Sequence, residues 1–126
     1  MEKRKESILK NKSYKFAVRI VRLSQYLQQE KKEFVLNKQI LRSGTAVGAI
    51  IREAEFAQSP SDYIHKFSIA LKEANETDYW LALLYDTKFI DDKLFESLSK
   101  DCKELVSMLV STLKTLKEKL KEKTKS

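Results

Sequence analysis

From Tyr63 to Leu84, the positions Tyr63, Phe67, Ala70, Ala74, Thr77, Leu81 and Leu84 follow an unbroken spacing of 4, 3, 4, 3, 4, 3. Only a helix gathers such positions on one face, so the stretch reads as a heptad seam needing other helices to bury it. The remaining chain repeats the theme. Phe16, Ile20, Leu23 and Leu27 mark a first helix over roughly 13–29, and Leu36, Ile40, Val47, Ile50, Ile51 and Ala54 an inward face on a second over roughly 34–58. Ser59-Pro60-Ser61-Asp62 opens the third helix, with a serine N-cap, proline at the first helical position and an acidic residue at the third. Leu98, Cys102, Leu105, Leu109, Leu113, Leu116 and Leu120 mark the fourth, capped by Asp91 or Asp92. No strand alternation, internal repeat or glycine-serine linker interrupts the series. The expectation is all-α: a single domain over 1–126, folded as an up-down-up-down antiparallel four-helix bundle.

Composition removes several classes of chemistry. One cysteine cannot form an internal disulfide, and one cysteine with one histidine, Cys102 and His65, cannot complete a structural zinc site. Asp62-x-x-His65 has the spacing of half a carboxylate-bridged di-metal motif, but there is no second histidine to supply the other half. His65 therefore reads as solvated, and Cys102, on an apolar stripe, as a small buried hydrophobe. Glu73 and Glu76 share a helix face with Trp80, where ion pairs to Arg42, Arg52 or a neighbouring subunit suit them better than acid–base catalysis. No catalytic constellation is present, so a non-enzyme with no metal and no cofactor is expected. The charged start lacks the apolar stretch of a signal peptide, and the longest uncharged runs, 43–51 and 105–113, are too short for a membrane span. A soluble, cytoplasmic protein without a membrane partner follows as the expectation.

The net charge of +7 sits at the ends. Residues 1–12 carry five basic and two acidic groups and residues 114–126 six and two, which leaves 14 of each sign between them. In an even-numbered bundle both termini share one end, so the two basic extensions become a single basic pole. Its candidate phosphate contacts are Lys10, Lys12, Lys15, Arg19 and Arg22 on the first helix and Lys114, Lys117 and Lys121 on the last. Few aromatics accompany them, which favours contact with backbone and shape over base reading.

Two features point toward close packing and self-association. Tyr79-Trp80-Leu81-Ala82-Leu83-Leu84-Tyr85 is an uncharged run covering every face of its helix, which makes Tyr79, Trp80, Leu83 and Tyr85 candidate interface anchors. Gly44-x-x-x-Gly48 lies inside the second helix, where each glycine costs about 1 kcal/mol against alanine. A smooth face for a closely approaching helix offsets that cost.

Gln39-Ile40-Leu41-Arg42-Ser43-Gly44-Thr45-Ala46-Val47-Gly48-Ala49, followed by Arg52-Glu53-Ala54, resembles a signature of the proteins encoded in 23S rRNA intervening sequences, also labelled the S23 ribosomal protein family. Lys72-Glu73-Ala74-Asn75-Glu76-Thr77-Asp78-Tyr79-Trp80-Leu81 resembles a second signature within 59–84, and the likeness spans roughly 14–115. In the family this chain resembles, members tend to carry serine where Ala46 stands and asparagine where Ile50 stands, so any hydrogen bond those polar groups make in the bundle or between subunits is missing here. The resemblance implies a four-helix bundle assembled as a homo-oligomeric ring, a homopentamer. The chain is also similar to the accessory variability determinant of diversity-generating retroelements, a basic pentameric barrel that binds nucleic acid and a reverse transcriptase. Being encoded within an rRNA insertion does not make a product part of the ribosome. The leading expectation is a homo-oligomeric nucleic-acid-binding module with RNA favoured over DNA. The alternative is an assembly adaptor that binds a protein partner, its charge serving solubility or an acidic docking surface.

Overall fold

In the computed structural model, which describes residues 2–125 and the side chains of residues 4–124, helix α1 spans Glu2–Gln29, α2 Val35–Glu53, α3 Pro60–Asp86 and α4 Asp92–Lys125. A short 3-10 turn, Ala54–Phe56, follows α2. The described residues contain no strand, and none of the helices is long and apolar enough to cross a membrane. Packing runs cyclically, α1 on α2, α2 on α3, α3 on α4 and α4 back on α1, the last seam being the sparsest. The architecture is that of a four-helix bundle.

The heptad seam of α3 is buried from Phe67 to Leu84, with Tyr63 half-buried. Against it lie Phe16, Ile20, Leu23 and Leu27 of α1, Ile40, Val47 and Ile51 of α2, and the α4 stripe from Leu98 to Leu113. The N-terminal cap forms as its sequence predicts: Ser59 Oγ accepts from the Asp62 amide at 3.0 Å, and Asp62 Oδ2 accepts from the Gln58 amide at 3.1 Å. At the start of α4, Asp91 Oδ1 accepts from the Leu94 amide at 2.8 Å.

Two boundaries differ from expectation. α1 begins at Glu2 rather than near residue 13, because Leu9 continues the apolar face one heptad before Phe16 and is fully buried. α2 ends at Glu53 rather than Gln58: the 3-10 turn tightens the chain and Ala57 is already extended, which frees Ser59 to cap α3. Both charge-defined ends are therefore helical where described, 2–12 as the first turns of α1 and 114–125 as the last turns of α4.

The glycine pair marks a close approach of α2 to α1. Gly44 faces Ile20 of α1, and Gly48 lies against the Ser13 backbone carbonyl. Beside it, Thr77 of α3 hydrogen-bonds Ser43 of α2 at 2.9 Å in the buried centre. Ala46 and Ile50 are half-buried, and Ile50 packs on the core.

Candidate nucleic-acid interface

The even helix count brings both ends of the chain to one pole. Lys5 on α1 donates to Ser111 on α4, and Tyr63 at the start of α3 donates to Glu6. Burial and then that carboxylate push the Tyr63 phenol well above its usual pKa. Met1, Ser126 and the side chains of Lys3 and Lys125, all in the expected basic pole, lie outside the described residues.

Much of the basic stripe on α1 is neutralised within the chain. Lys10 pairs with Glu55 beside the 3-10 turn and Lys12 with Glu104 of α4. Arg19 spans the same seam, with Nη1 2.6 Å from Asp101 Oδ2 and Nη2 2.9 Å from Ser97 Oγ. The Lys12 and Arg19 bridges close the sparse α1–α4 contact. Each is worth about 0–1 kcal/mol, so a phosphate can displace the acid, but at a distance each pair presents no net charge. Lys15 and Arg22 are exposed and form no ion pair among the described residues.

The outward face of α4 differs. Lys100, Lys103, Ser107, Val110, Lys114, Lys117 and Lys121 recur at 3, 4, 3, 4, 3, 4, and all are exposed. Their spacing holds them on one gently winding stripe about 32 Å long. No acidic residue occupies a stripe position, and none of its five lysines forms an ion pair among the described residues. Lys114, Lys117 and Lys121 were expected from terminal charge, whereas Lys100 and Lys103 were missed because the middle of the chain sums to zero. Their signal was present as spacing: each stands two heptads before Lys114 or Lys117.

The apolar run of α3 is partly absorbed within the subunit. Tyr85 stacks on Phe95, with centroids 4.3 Å apart, and donates to Asp92 at 2.6 Å. Trp80 is half-buried, and its indole donates to Glu76 at 3.2 Å. Leu83 is half-buried, leaving Tyr79 outermost at 60% exposure. The run covers the whole helix circumference, but α2 and α4 flank α3 closely enough to shelter its sides. A second apolar strip was missed in the sequence: Tyr14, Val18 and Val21 form an exposed line along α1, opposite its core face.

Acid–base candidates are occupied structurally. Arg42 clamps Glu73 and Glu76 together, while Arg52 lies over the Tyr14 ring at 5.9 Å. His65 is exposed, and Cys102 is buried with its thiol donating to the Ala74 carbonyl. Burial, reinforced by Asp78, pushes that thiol up to about 12. Among the described residues, no group of three or more His, Cys, Asp or Glu is placed to hold a metal.

The 23S rRNA-intervening sequence protein family matches residues 5–111, and this chain belongs to it. The chain is also similar to a protein of unknown function from the S23 ribosomal protein family of Bacteroides thetaiotaomicron VPI-5482, whose crystal structure was determined at 1.70 Å. The two are 55% identical with a TM-score of 0.86, over 87% of this chain and 98% of that one. No curated protein matches the chain.

Proposed function

We propose that this chain is a non-enzymatic nucleic-acid-binding module working as a homo-oligomer, with the lysine stripe of α4 as its main phosphate-contacting surface. The observation that carries the reading is the contrast between two basic faces. Lys10, Lys12 and Arg19 of α1 are held by acidic partners, whereas the five lysines of α4 are exposed and without ion pairs among the described residues. Such a row releases counterions from a phosphate backbone and has no means of reading bases. Lys15 and Arg22 add to it from α1. RNA is favoured over DNA on the family's name alone.

Self-association is supported by exposed apolar surface: Tyr14, Val18 and Val21 on α1, and Tyr79 with the edge of Leu83 on α3. Two unlike patches suit a heterologous, ring-closing contact, as a pentamer needs. A ring repeats each stripe around its circumference, so weak contacts act together.

The test is fluorescence anisotropy of labelled structured RNA and duplex DNA across a salt series. The full chain is compared with Lys103→Glu/Lys114→Glu/Lys117→Glu. If all five lysines contact phosphate, the log–log salt slope on duplex approaches about −4.5 per subunit. The triple variant should lose most affinity and flatten that slope, while Arg19→Gln changes little. Absence of binding by the unaltered chain at physiological salt refutes the proposal and favours the adaptor reading.

A further inference from the structure

Counting equal steps along the antiparallel pair from the contact between Cys102 and Ala74 sets Pro60 level with Leu116. Residues 117–125 of α4 therefore run about 13 Å past the first turn of α3. Beyond that point they lie beside the 3-10 turn instead of a helix, and the mismatch leaves a groove of about 670 Å³. Its floor is apolar, built from Ala57, Pro60, Ile64, Leu116 and Leu120. A smaller hollow of about 430 Å³ adjoins it, sharing Ile64 and Leu120 and edged by Lys117 and Lys121. The α4 wall, from Leu116 to Thr124, lies beyond residue 111, where the family match ends.

We propose that the groove docks an amphipathic helix of a protein partner, with an apolar ridge over Ile64 and Leu120 and acidic flanks toward the α4 lysines. The floor supplies the long apolar seat that a helix's i, i+4, i+7 anchors occupy, and Ala57 and Pro60 leave one wall low. Charge selects the partner. Lys117 and Lys121 edge the smaller hollow without ion pairs among the described residues, and Glu55 on the opposite wall is already held by Lys10. An acidic flank is attracted, whereas a second copy's α4 end, itself lysine-rich, is repelled. Nucleic acid suits the floor poorly, because the floor is aliphatic and the groove's one aromatic, Tyr63, already packs its ring against Phe67, with centroids 4.9 Å apart. The inference stands apart from the nucleic-acid reading, since most of the α4 stripe takes no part in it.

The probe is a synthetic helix carrying leucines at i, i+4 and i+7 on a glutamate-alanine background. Its control is an isomer of identical composition with the leucines scattered. Each is titrated into the isotope-labelled full chain and followed by amide chemical shifts. Saturable shifts confined to residues 54–64 and 113–124, given by the ridge peptide and not the isomer, are expected. Leu120→Glu and, separately, Ile64→Glu should weaken binding at least tenfold, with helicity by circular dichroism unchanged. If one variant misfolds, the other carries the comparison. Equal binding of both peptides, no response in those segments, or the same confined shifts with only anionic phospholipid vesicles or RNA overturns the proposal.

Discussion

Replacing Gly44 by alanine sets two opposing terms against each other at a point where α2 packs tightly on α1. A Cβ built at Gly44 lies 2.8 Å and 2.9 Å from Cγ1 and Cγ2 of Ile20, and 3.2 Å from its Cβ. Carbon pairs rest at about 3.5–4.0 Å. Ile20 is fully buried and β-branched, with one strongly preferred rotamer in a helix, so it cannot swing aside and the helices must part. Overpacking of this kind costs about 1–3 kcal/mol. Alanine in a helix interior returns about 1 kcal/mol relative to glycine. The balance is a loss of about 1 kcal/mol, or a fall in Tm of about 3–5 °C for a chain this size. Gly48→Ala meets the Ser13 carbonyl at 3.2–3.3 Å and its Oγ at 3.4 Å, milder contacts than those at Gly44, so the same gain should leave it near neutral. Urea unfolding at constant m measures both. The decisive arm repeats Gly44→Ala in an Ile20→Ala background, where Cγ1 and Cγ2 are gone and only the 3.2 Å contact to Cβ remains, so the loss should disappear and up to about 1 kcal/mol of stabilisation emerge. An equal loss in both backgrounds would refute the close-approach account of this glycine.

Cys102 should react with a thiol reagent at pH 8 only after unfolding, because its thiolate is scarce and shielded in the folded chain. Its folded pKa, about 12, lies above the ordinary 9.0, so the native state holds the proton longer and stability should fall as pH rises from about 9 toward 12. Cys102→Ala should flatten that decline in urea titrations, and Tyr63→Phe should flatten it further because the Tyr63 phenol is shifted in the same direction. Thr77→Val strands the buried Ser43 hydroxyl and should cost about 1–3 kcal/mol. Adding Ser43→Ala should recover most of that loss in a double-mutant cycle. Lys88 holds φ of 67° where α3 ends, with the Phe89 amide bonded to the Leu84 carbonyl and the Lys88 amide to the Tyr85 carbonyl. That is a Schellman turn with lysine in glycine's place, so Lys88→Gly should raise stability by about 1 kcal/mol in thermal melts.

The number of helices, the α3 seam, the Ser59 cap and the packing role of the glycine pair were all legible in the sequence. Each rests on local rules: a 3.6-residue period, a side chain reaching an amide three residues on, the absence of a Cβ. The N-terminal limit of α1 was missed because the lysines around Leu9 mask the one apolar position that holds those turns to the core. The end of α2 was misplaced because no glycine or proline marks it, only a tightening of the chain that the α3 cap requires. Charge is where tertiary structure decided most. A sum over sequence cannot tell a lysine facing Glu104 from one facing water, since Lys12 meets that partner only when α1 lies beside α4. The same docking gives Arg19 its acidic partner, while Lys10 finds Glu55 on the 3-10 turn after α2, and Lys100, Lys103, Lys114, Lys117 and Lys121 are left facing outward together. The sequence placed the lysines on helices; the order in which those helices pack determined which keep their charge available, because electrostatic pairing depends on separation in space.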